Sequence, residues 1–177
     1  MKKIILGISS SIAAYKACDL IRMFVKGGYS VHVVTTENAL HLVSPLTLET
    51  LSGNPVYSTQ YSRDRREMGH IELKSDASLF LVAPATANII GKFANGIADD
   101  LVTTTFLSVD CPIIIAPAMN PNMYAHPAVH RNIRTLKYWG IEFVEPAMGE
   151  AVCGDEGLGK LADINEIYAA ALNVLEE

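Results

Sequence analysis

The stretch KKIILGISSSIAAYK, residues 2–16, runs from an apolar segment straight into three serines and then into a helical pattern. Ile4, Ile5 and Leu6 follow one another without polar alternation, as in a strand covered on both faces. Working outward, four more runs share this character: YSVHVVT (29–35), SLFLVAP (78–84), CPIIIAP (111–117) and GIEFVEP (140–146), each short and bounded by turn residues. Helical patterns separate them: Ile12–Lys26 closed by Gly27-Gly28, Asn88–Asn95, Asp99–Leu107, and Pro127–Trp139 with Gly140 behind it. A last helix is expected from Asp163, with Glu166 as its capping-box partner and Ile167, Ala170, Ala171 and Val174 on one face. Strands alternating with helices in this way require right-handed crossovers and a mostly parallel sheet between two helical layers, an α/β three-layer sandwich. No repeat, low-complexity tract or linker interrupts the chain, so residues 1–177 are expected to form one domain.

The segments after the strands share a chemistry. Ser9-Ser10-Ser11 comes after the first, Thr35-Thr36 after the second, PATAN (84–88) after the third and PAMN (117–120) after the fourth, while the fifth leads toward AVCGDEGLGKLAD (151–163). In an open α/β sheet the carboxyl ends of the strands share one edge, where ligands bind, so these groups are expected to face one crevice. The most polar loop, Tyr57 to Gly69, carries Arg63, Arg65 and Arg66.

Half of the residues are apolar, and nineteen acidic against fourteen basic side chains leave a net charge of −5. That balance argues against a nucleic-acid partner. Cys18, Cys111 and Cys153 are odd in number and widely spaced, which suggests neither a disulfide framework nor structural zinc and points to a reducing, cytoplasmic compartment. No apolar run approaches membrane-spanning length, and MKKIILGISSS is too quickly interrupted for a signal sequence. His126 and His130, four apart, could face one metal; no glutamate lies between them in the required pattern and Pro127 marks a helix start, so no metal site is expected.

GISSSIAAYK offers hydroxyls and backbone N–H groups at a helix start, which suits either a phosphate or simple serine capping. It does not match G-x-G-x-x-G, and strand two ends in Thr-Thr where a dinucleotide site would place an acidic residue, so a mononucleotide fits better than NAD. In PATANIIGKFANG, Thr86 and Asn88 can hydrogen-bond a polar ring edge or equally cap a helix. His70 in MGHIEL is a candidate base, since imidazole titrates near neutrality, or a surface or capping residue. Asn120 can direct amide hydrogens at a carboxylate or form an Asx turn before Pro121. Cys153 lies on a glycine-rich polar stretch, either as a working thiol or as an incidental one.

Taken in order, GISSSIAAYK, MGHIELKSDASLFLVAPATANIIGKFANGIADDLVTT, APAMNPNMY and AVCGDEGLGKLAD resemble the homo-oligomeric flavin-containing cysteine decarboxylases over nearly the whole chain. PATANI stands where that family often has PASANT, and Tyr124 where tryptophan is common. The resemblance implies a flavodoxin-like Rossmann fold binding FMN, assembled as trimers or assemblies of trimers with flavin near subunit contacts. It implies that Ser10 and Ser11 hold the phosphate side, Thr35 and Thr36 lie near the flavin chain, and Thr86, Ala87 and Asn88 meet the isoalloxazine.

Loss of CO2 needs an electron sink, and the chain shows no sign of a pyridoxal lysine. The resemblance implies that FMN oxidises the terminal CH2–SH of 4′-phosphopantothenoylcysteine to a thioaldehyde, which lies β to the carboxylate and permits decarboxylation. Re-reduction then gives 4′-phosphopantetheine, a step in coenzyme A biosynthesis. By the same likeness His70 is the base of the oxidation, on its own or a neighbour's flavin, and Asn120 binds the substrate carboxylate. The resemblance likewise implies that Cys153 is the proton donor on a covering flap, with Gly154, Gly157 and Gly159 as its joints, that Val152 borders the substrate and that Lys160 contacts phosphate; Met119 and Met123 either line the substrate pocket or fill the core. A phosphopantothenate–cysteine ligase, fused beyond NVLEE or separate, is the implied partner. Competing readings are a peptidyl-cysteine decarboxylase that stops at the ene-thiol, against which the Cys153 stretch argues, and a flavin prenyltransferase, against which His70 and Asn120 argue. A non-catalytic flavoprotein that regulates a partner would be told apart by turnover.

Overall fold

The computed structural model describes residues 1–61, 69–150 and 154–176. Five strands, β1 (Lys3–Ile8), β2 (Ser30–Thr35), β3 (Ala77–Ala85), β4 (Ile113–Pro117) and β5 (Glu142–Phe143), form a sheet in the order β2-β1-β3-β4-β5, every pair parallel. This is the flavodoxin-like, doubly wound order, whose direction of winding reverses between β1 and β3. Helices α1 (Ala17–Lys26), α2 (Pro45–Ser52) and α8 (Ile164–Glu176) cover one face, with Leu20, Ile21, Phe24, Leu48 and Ile167 buried against Leu6 and Leu81. On the other face lie α3 (Gly69–Lys74), α4 (Ala87–Ala94), α5 (Leu101–Ser108) and α7 (Pro127–Tyr138), which bury Leu73, Phe93, Phe106 and Leu136 against Ile5 and Phe80. Both faces of the strands are therefore dry, which is why their sequences do not alternate. Gly7 is part of this packing: a Cβ there would stand 3.1 Å from the Phe80 ring.

Several boundaries differ from the expectation, each for a local reason. The segment 12–26 opens with a 3-10 turn, Ile12–Lys16, before α1, and Ser11 caps that turn by accepting a hydrogen bond from Ala13 N at 3.3 Å. The expected capping box at Asp163 and Glu166 is not formed among the described residues: Asp163 Oδ1 accepts instead from the backbone and side-chain nitrogens of Asn165, both at 2.8 Å. A capping box occurs at α5, where Asp100 and Thr103 bond reciprocally. Strand five is shorter than GIEFVEP: two residues pair with Ile114 and Ile115, Val144 N adds one bond to Ile115 O at 3.0 Å, and Pro146 has no N–H to continue.

Sequence patterning missed α2 and α3. The first buries only Leu48 and Ser52, too little to print a period, and the second begins where the polar loop was expected to end. It also missed an antiparallel hairpin, β6 (Ala147–Glu150) with β7 (Glu156–Lys160), in which Met148 pairs with Leu158 and Gly149 with Gly157. Its strands are glycine-rich and charged, the opposite of usual strand composition. No helix among the described residues is long and apolar enough to cross a membrane.

Candidate active site

The carboxyl ends of β1, β3 and β4 meet at the point where the winding reverses, and Ser9 ties two of them together. Its buried hydroxyl donates to Pro84 O at 2.8 Å and accepts from Thr86 N at 2.9 Å. Ser9 is thus structural, which leaves Ser10, exposed, and Ser11, half-buried, at the rim. Beside them opens a cleft of about 730 Å³, a size suited to a small molecule. Its polar wall includes Ser10, Ser11, Thr86, Asn120 and Lys160, and its apolar wall includes Met119 and Met123. Lys16, which sequence reasoning did not single out, also lines it from the end of the 3-10 turn, a place that no sequence signal marks. Two lysines and two serines among its lining residues make the cleft suited to an anion.

The short helix α6 (Pro121–Tyr124) carries Asn120 as its cap: Asn120 Oδ1 accepts from Asn122 N at 2.8 Å. The Asx turn weighed from sequence is therefore formed, yet the same side chain faces the cleft. Behind α6, Tyr124 is buried and donates its hydroxyl to Glu145 at 2.9 Å, and Lys137 donates to the other carboxylate oxygen at 2.6 Å. Burial, then the neighbouring carboxylate, pushes the Tyr124 phenol well above its ordinary range, so it stays a neutral donor. The Lys137 bond holds the Glu145 carboxyl below its usual value. Tyr124, in place of tryptophan, thereby pins α6 to the chain entering the hairpin.

The hairpin is seated on this turn through its glycines. Met119 N donates to Gly159 O at 2.8 Å, and a Cβ on Gly159 would stand 2.4 Å from Met119 O and 3.2 Å from Pro121 N. A Cβ on Gly157 would stand 2.9 Å from Pro121 Cβ. At Gly157 and Gly159, read from the sequence as joints of a flap, the structure supplies a packing reason for glycine: the backbone there lies so close to the α6 turn that a side chain would not fit. Gly154, with nothing within 4 Å of a Cβ, keeps only its positive φ of 89° as a reason. Val152 and Cys153 lie outside the described residues.

Other sequence candidates lie away from the cleft. Thr35 ends β2 and Thr36 follows it as the cap of a 3-10 turn, Glu37–His41, and their hydroxyls are buried without a hydrogen-bond partner among the described residues. Unsatisfied buried hydroxyls are costly in a structure that has no use for them, so they suit the polar chain of a bound nucleotide. Ala87 and Asn88 begin α4, behind its cap Thr86, whose Oγ1 accepts from Ile89 N at 3.3 Å; Asn88 is exposed. His70, half-buried on α3, does not line the cleft of its own chain. His126 caps α7 by accepting from Ala128 N at 3.1 Å, and His130 packs on the Tyr124 ring at 5.6 Å.

A parallel five-stranded sheet with a phosphate-suited cleft at its winding reversal is the architecture of a flavodoxin-like nucleotide binder. The chain belongs to the flavoprotein family, whose model, described as Flavoprotein, matches residues 1–176. It is 46% identical over 171 residues to the coenzyme A biosynthesis bifunctional protein CoaBC of Bacillus subtilis (strain 168), covering 96% of this chain and 42% of that protein. It is 45% identical over 169 residues to a probable phosphopantothenoylcysteine decarboxylase of Streptococcus mutans serotype c, covering 94% of each. Its fold is similar to a solved cysteine-to-serine variant of a PPC decarboxylase complexed with pantothenoylaminoethenethiol, with a TM-score of 0.88, 29% identity and 99% of both chains covered. The chain thus spans well under half the length of the bifunctional relative.

Proposed function

We propose that this chain is an FMN-dependent decarboxylase that converts 4′-phosphopantothenoylcysteine to 4′-phosphopantetheine in coenzyme A biosynthesis. The observation that carries the reading is one cleft at the carboxyl edge of the sheet lined by Ser10, Ser11, Lys16 and Lys160, which suit anions, together with Asn120. The similarity to the Streptococcus mutans relative over nearly the full length of both chains supports it. FMN fits the residues present: the unpartnered hydroxyls of Thr35 and Thr36 and the groups at Ser10, Ser11, Thr86, Ala87 and Asn88 would hold it. When bound, FMN supplies the electron acceptor that turns the substrate's CH2–SH into a thioaldehyde and later returns the electron pair.

The remaining work falls to side chains of this chain. Asn120 orients the substrate carboxylate with a neutral N–H donor, which holds it without favouring the charged starting state as strongly as a guanidinium would. Met123 and Val152 border the substrate and Lys160 meets its phosphate. His70 takes the proton released as the thiol-bearing carbon is oxidised. His70, like Thr35, Thr36 and Asn88, does not line the cleft of its own chain, and it serves the flavin of its own or of a neighbouring copy in a homo-oligomer, a trimer or assembly of trimers. Cys153 gives a proton to carbon when the ene-thiolate is reduced. The enzyme works in the cytoplasm beside a phosphopantothenate–cysteine ligase, fused or separate.

The test is the mass of the product formed by FMN-loaded protein from 4′-phosphopantothenoylcysteine. Loss of CO2 alone is expected from the wild type, and loss of CO2 plus two hydrogens from Cys153→Ser. A wild-type product already lacking the two hydrogens would remove the final reduction and Cys153's role. An unchanged substrate would refute the assignment altogether.

A further inference from the structure

One acidic side chain of the hairpin region meets the α6 turn directly. Asp155 Oδ2 accepts from Asn120 Nδ2 at 2.6 Å and stands 3.4 Å from Asn122 Nδ2, while Asn120 Oδ1 accepts from Asn122 N. The amide of Asn120 is therefore held at both ends, with its oxygen toward a backbone donor and its nitrogen toward a carboxylate. The two ends of an asparagine amide are almost equal in shape, so only such partners decide which faces where. Were the amide turned over, its oxygen would confront the Asp155 carboxylate and its NH2 the Asn122 N–H, two repulsive contacts in place of two bonds.

We propose that Asp155 is a positioning residue for the decarboxylation: through a charge-assisted bond to Asn120 it fixes the amide so that N–H, not C=O, is offered to the substrate carboxylate. This rests on the reading of Asn120 as the group that holds that carboxylate. The Asx-turn bond alone is an ordinary neutral one on a four-residue helix; a hydrogen bond to an ionised acceptor is roughly twice as strong. The carboxylate is also well placed to do it, since the chain just beyond Asp155 is docked on the same turn by the Met119–Gly159 bond. Because Asn120 meets the carboxylate in the bound substrate and that charge is leaving in the transition state, losing its orientation weakens chiefly ground-state binding, and the loss is read in KM with little fall in kcat.

The experiment compares steady-state kinetics of FMN-loaded Asp155→Ala, Asp155→Asn, Asn120→Ala and the Asn120→Ala/Asp155→Ala pair with 4′-phosphopantothenoylcysteine. Asp155→Ala is expected to raise KM about tenfold with kcat within about twofold. Asp155→Asn, whose amide oxygen can accept the same N–H, should return KM to within about threefold of wild type. The double variant should be no worse than Asn120→Ala alone, judged by calorimetric substrate affinity where turnover is lost, because one residue acts through the other. FMN affinity, followed by flavin fluorescence, should not change. An unaltered KM in Asp155→Ala, losses that multiply in the double variant, or a failed Asp155→Asn accompanied by lost FMN affinity would each overturn the proposal. Wild-type KM and kcat in Asn120→Ala would instead overturn the role of Asn120 on which it stands.

Discussion

Replacing Gly159 by alanine should lift the hairpin off the α6 turn. The new Cβ would lie 2.4 Å from Met119 O, and real Cβ atoms essentially never come closer than 3.0 Å, so β7 must retreat by at least 0.6 Å. Because the obstacle is backbone on both sides, no rotamer relieves it. That retreat stretches the 2.8 Å bond from Met119 N to Gly159 O past the usual range of about 2.7–3.2 Å and weakens it. Overpacking of this kind costs about 1–3 kcal/mol and the weakened bond at most about 0.5–1.5 kcal/mol. A local element absorbs such a cost by detaching, which leaves the global transition largely in place. The expected result is faster amide hydrogen exchange at Met119, read by mass spectrometry on peptides from the α6 turn, with a raised KM because Gly149, Gly159 and Lys160 of the hairpin line the cleft. Gly154→Ala is the control: nothing lies within 4 Å of its Cβ, so only the positive φ is strained, at about 1–2 kcal/mol. Native exchange at Met119 in Gly159→Ala, or equal effects of the two substitutions on that amide, would refute the seating argument.

Thr35→Val and Thr36→Val should leave the melting temperature of FMN-free protein unchanged or raised, since each removes a buried hydroxyl without a described partner. They should weaken FMN about tenfold in a fluorescence titration; unchanged affinity would take these residues out of the cofactor site. Burial raises the thiols of Cys18 and Cys111, the latter to about 11, so both should react slowly with a disulfide reagent near neutral pH. A fast-reacting thiol surviving in Cys153→Ser would contradict this. Glu145, depressed chiefly by Lys137 and also by Tyr124, contributes stability that is present above its ordinary carboxyl value of 4.5 and lost as pH falls through its lower folded value. The side chains of the Lys137 pair are 47% and 60% exposed, which keeps the contribution small, so Glu145→Gln should melt slightly below wild type near neutrality and converge with it in acid. A gap that widens as pH falls would show the sign to be wrong.

The strands and the shared functional edge were legible in the sequence because a strand buried on both faces declares itself by uninterrupted apolar residues. Helices with strong faces, α1 and α7 among them, declare themselves by spacing. Structure held by contacts distant in sequence escaped: α2 with its two buried residues, and a hairpin whose strands consist of glycine and charge. The same division runs through the site. Ser10, Ser11 and Asn120 could be chosen as candidates because their residue types and neighbours suit anion and carboxylate binding, Lys160 only because the family resemblance implied a phosphate contact, and the structure brings all four to one cleft. Lys16 was passed over because a lysine at the end of a helical turn looks like any solvated one. Gly159 read as a joint, since a sequence shows a missing side chain but not what occupies its place. By itself the sequence determined the layers of the fold, the edge where chemistry collects and the identities of the polar groups there. Only the tertiary structure decided that Ser9 is a tie, that Thr35 and Thr36 are buried without partners among the described residues, and that Asp155 holds Asn120, because each depends on distances between segments that local propensity does not set.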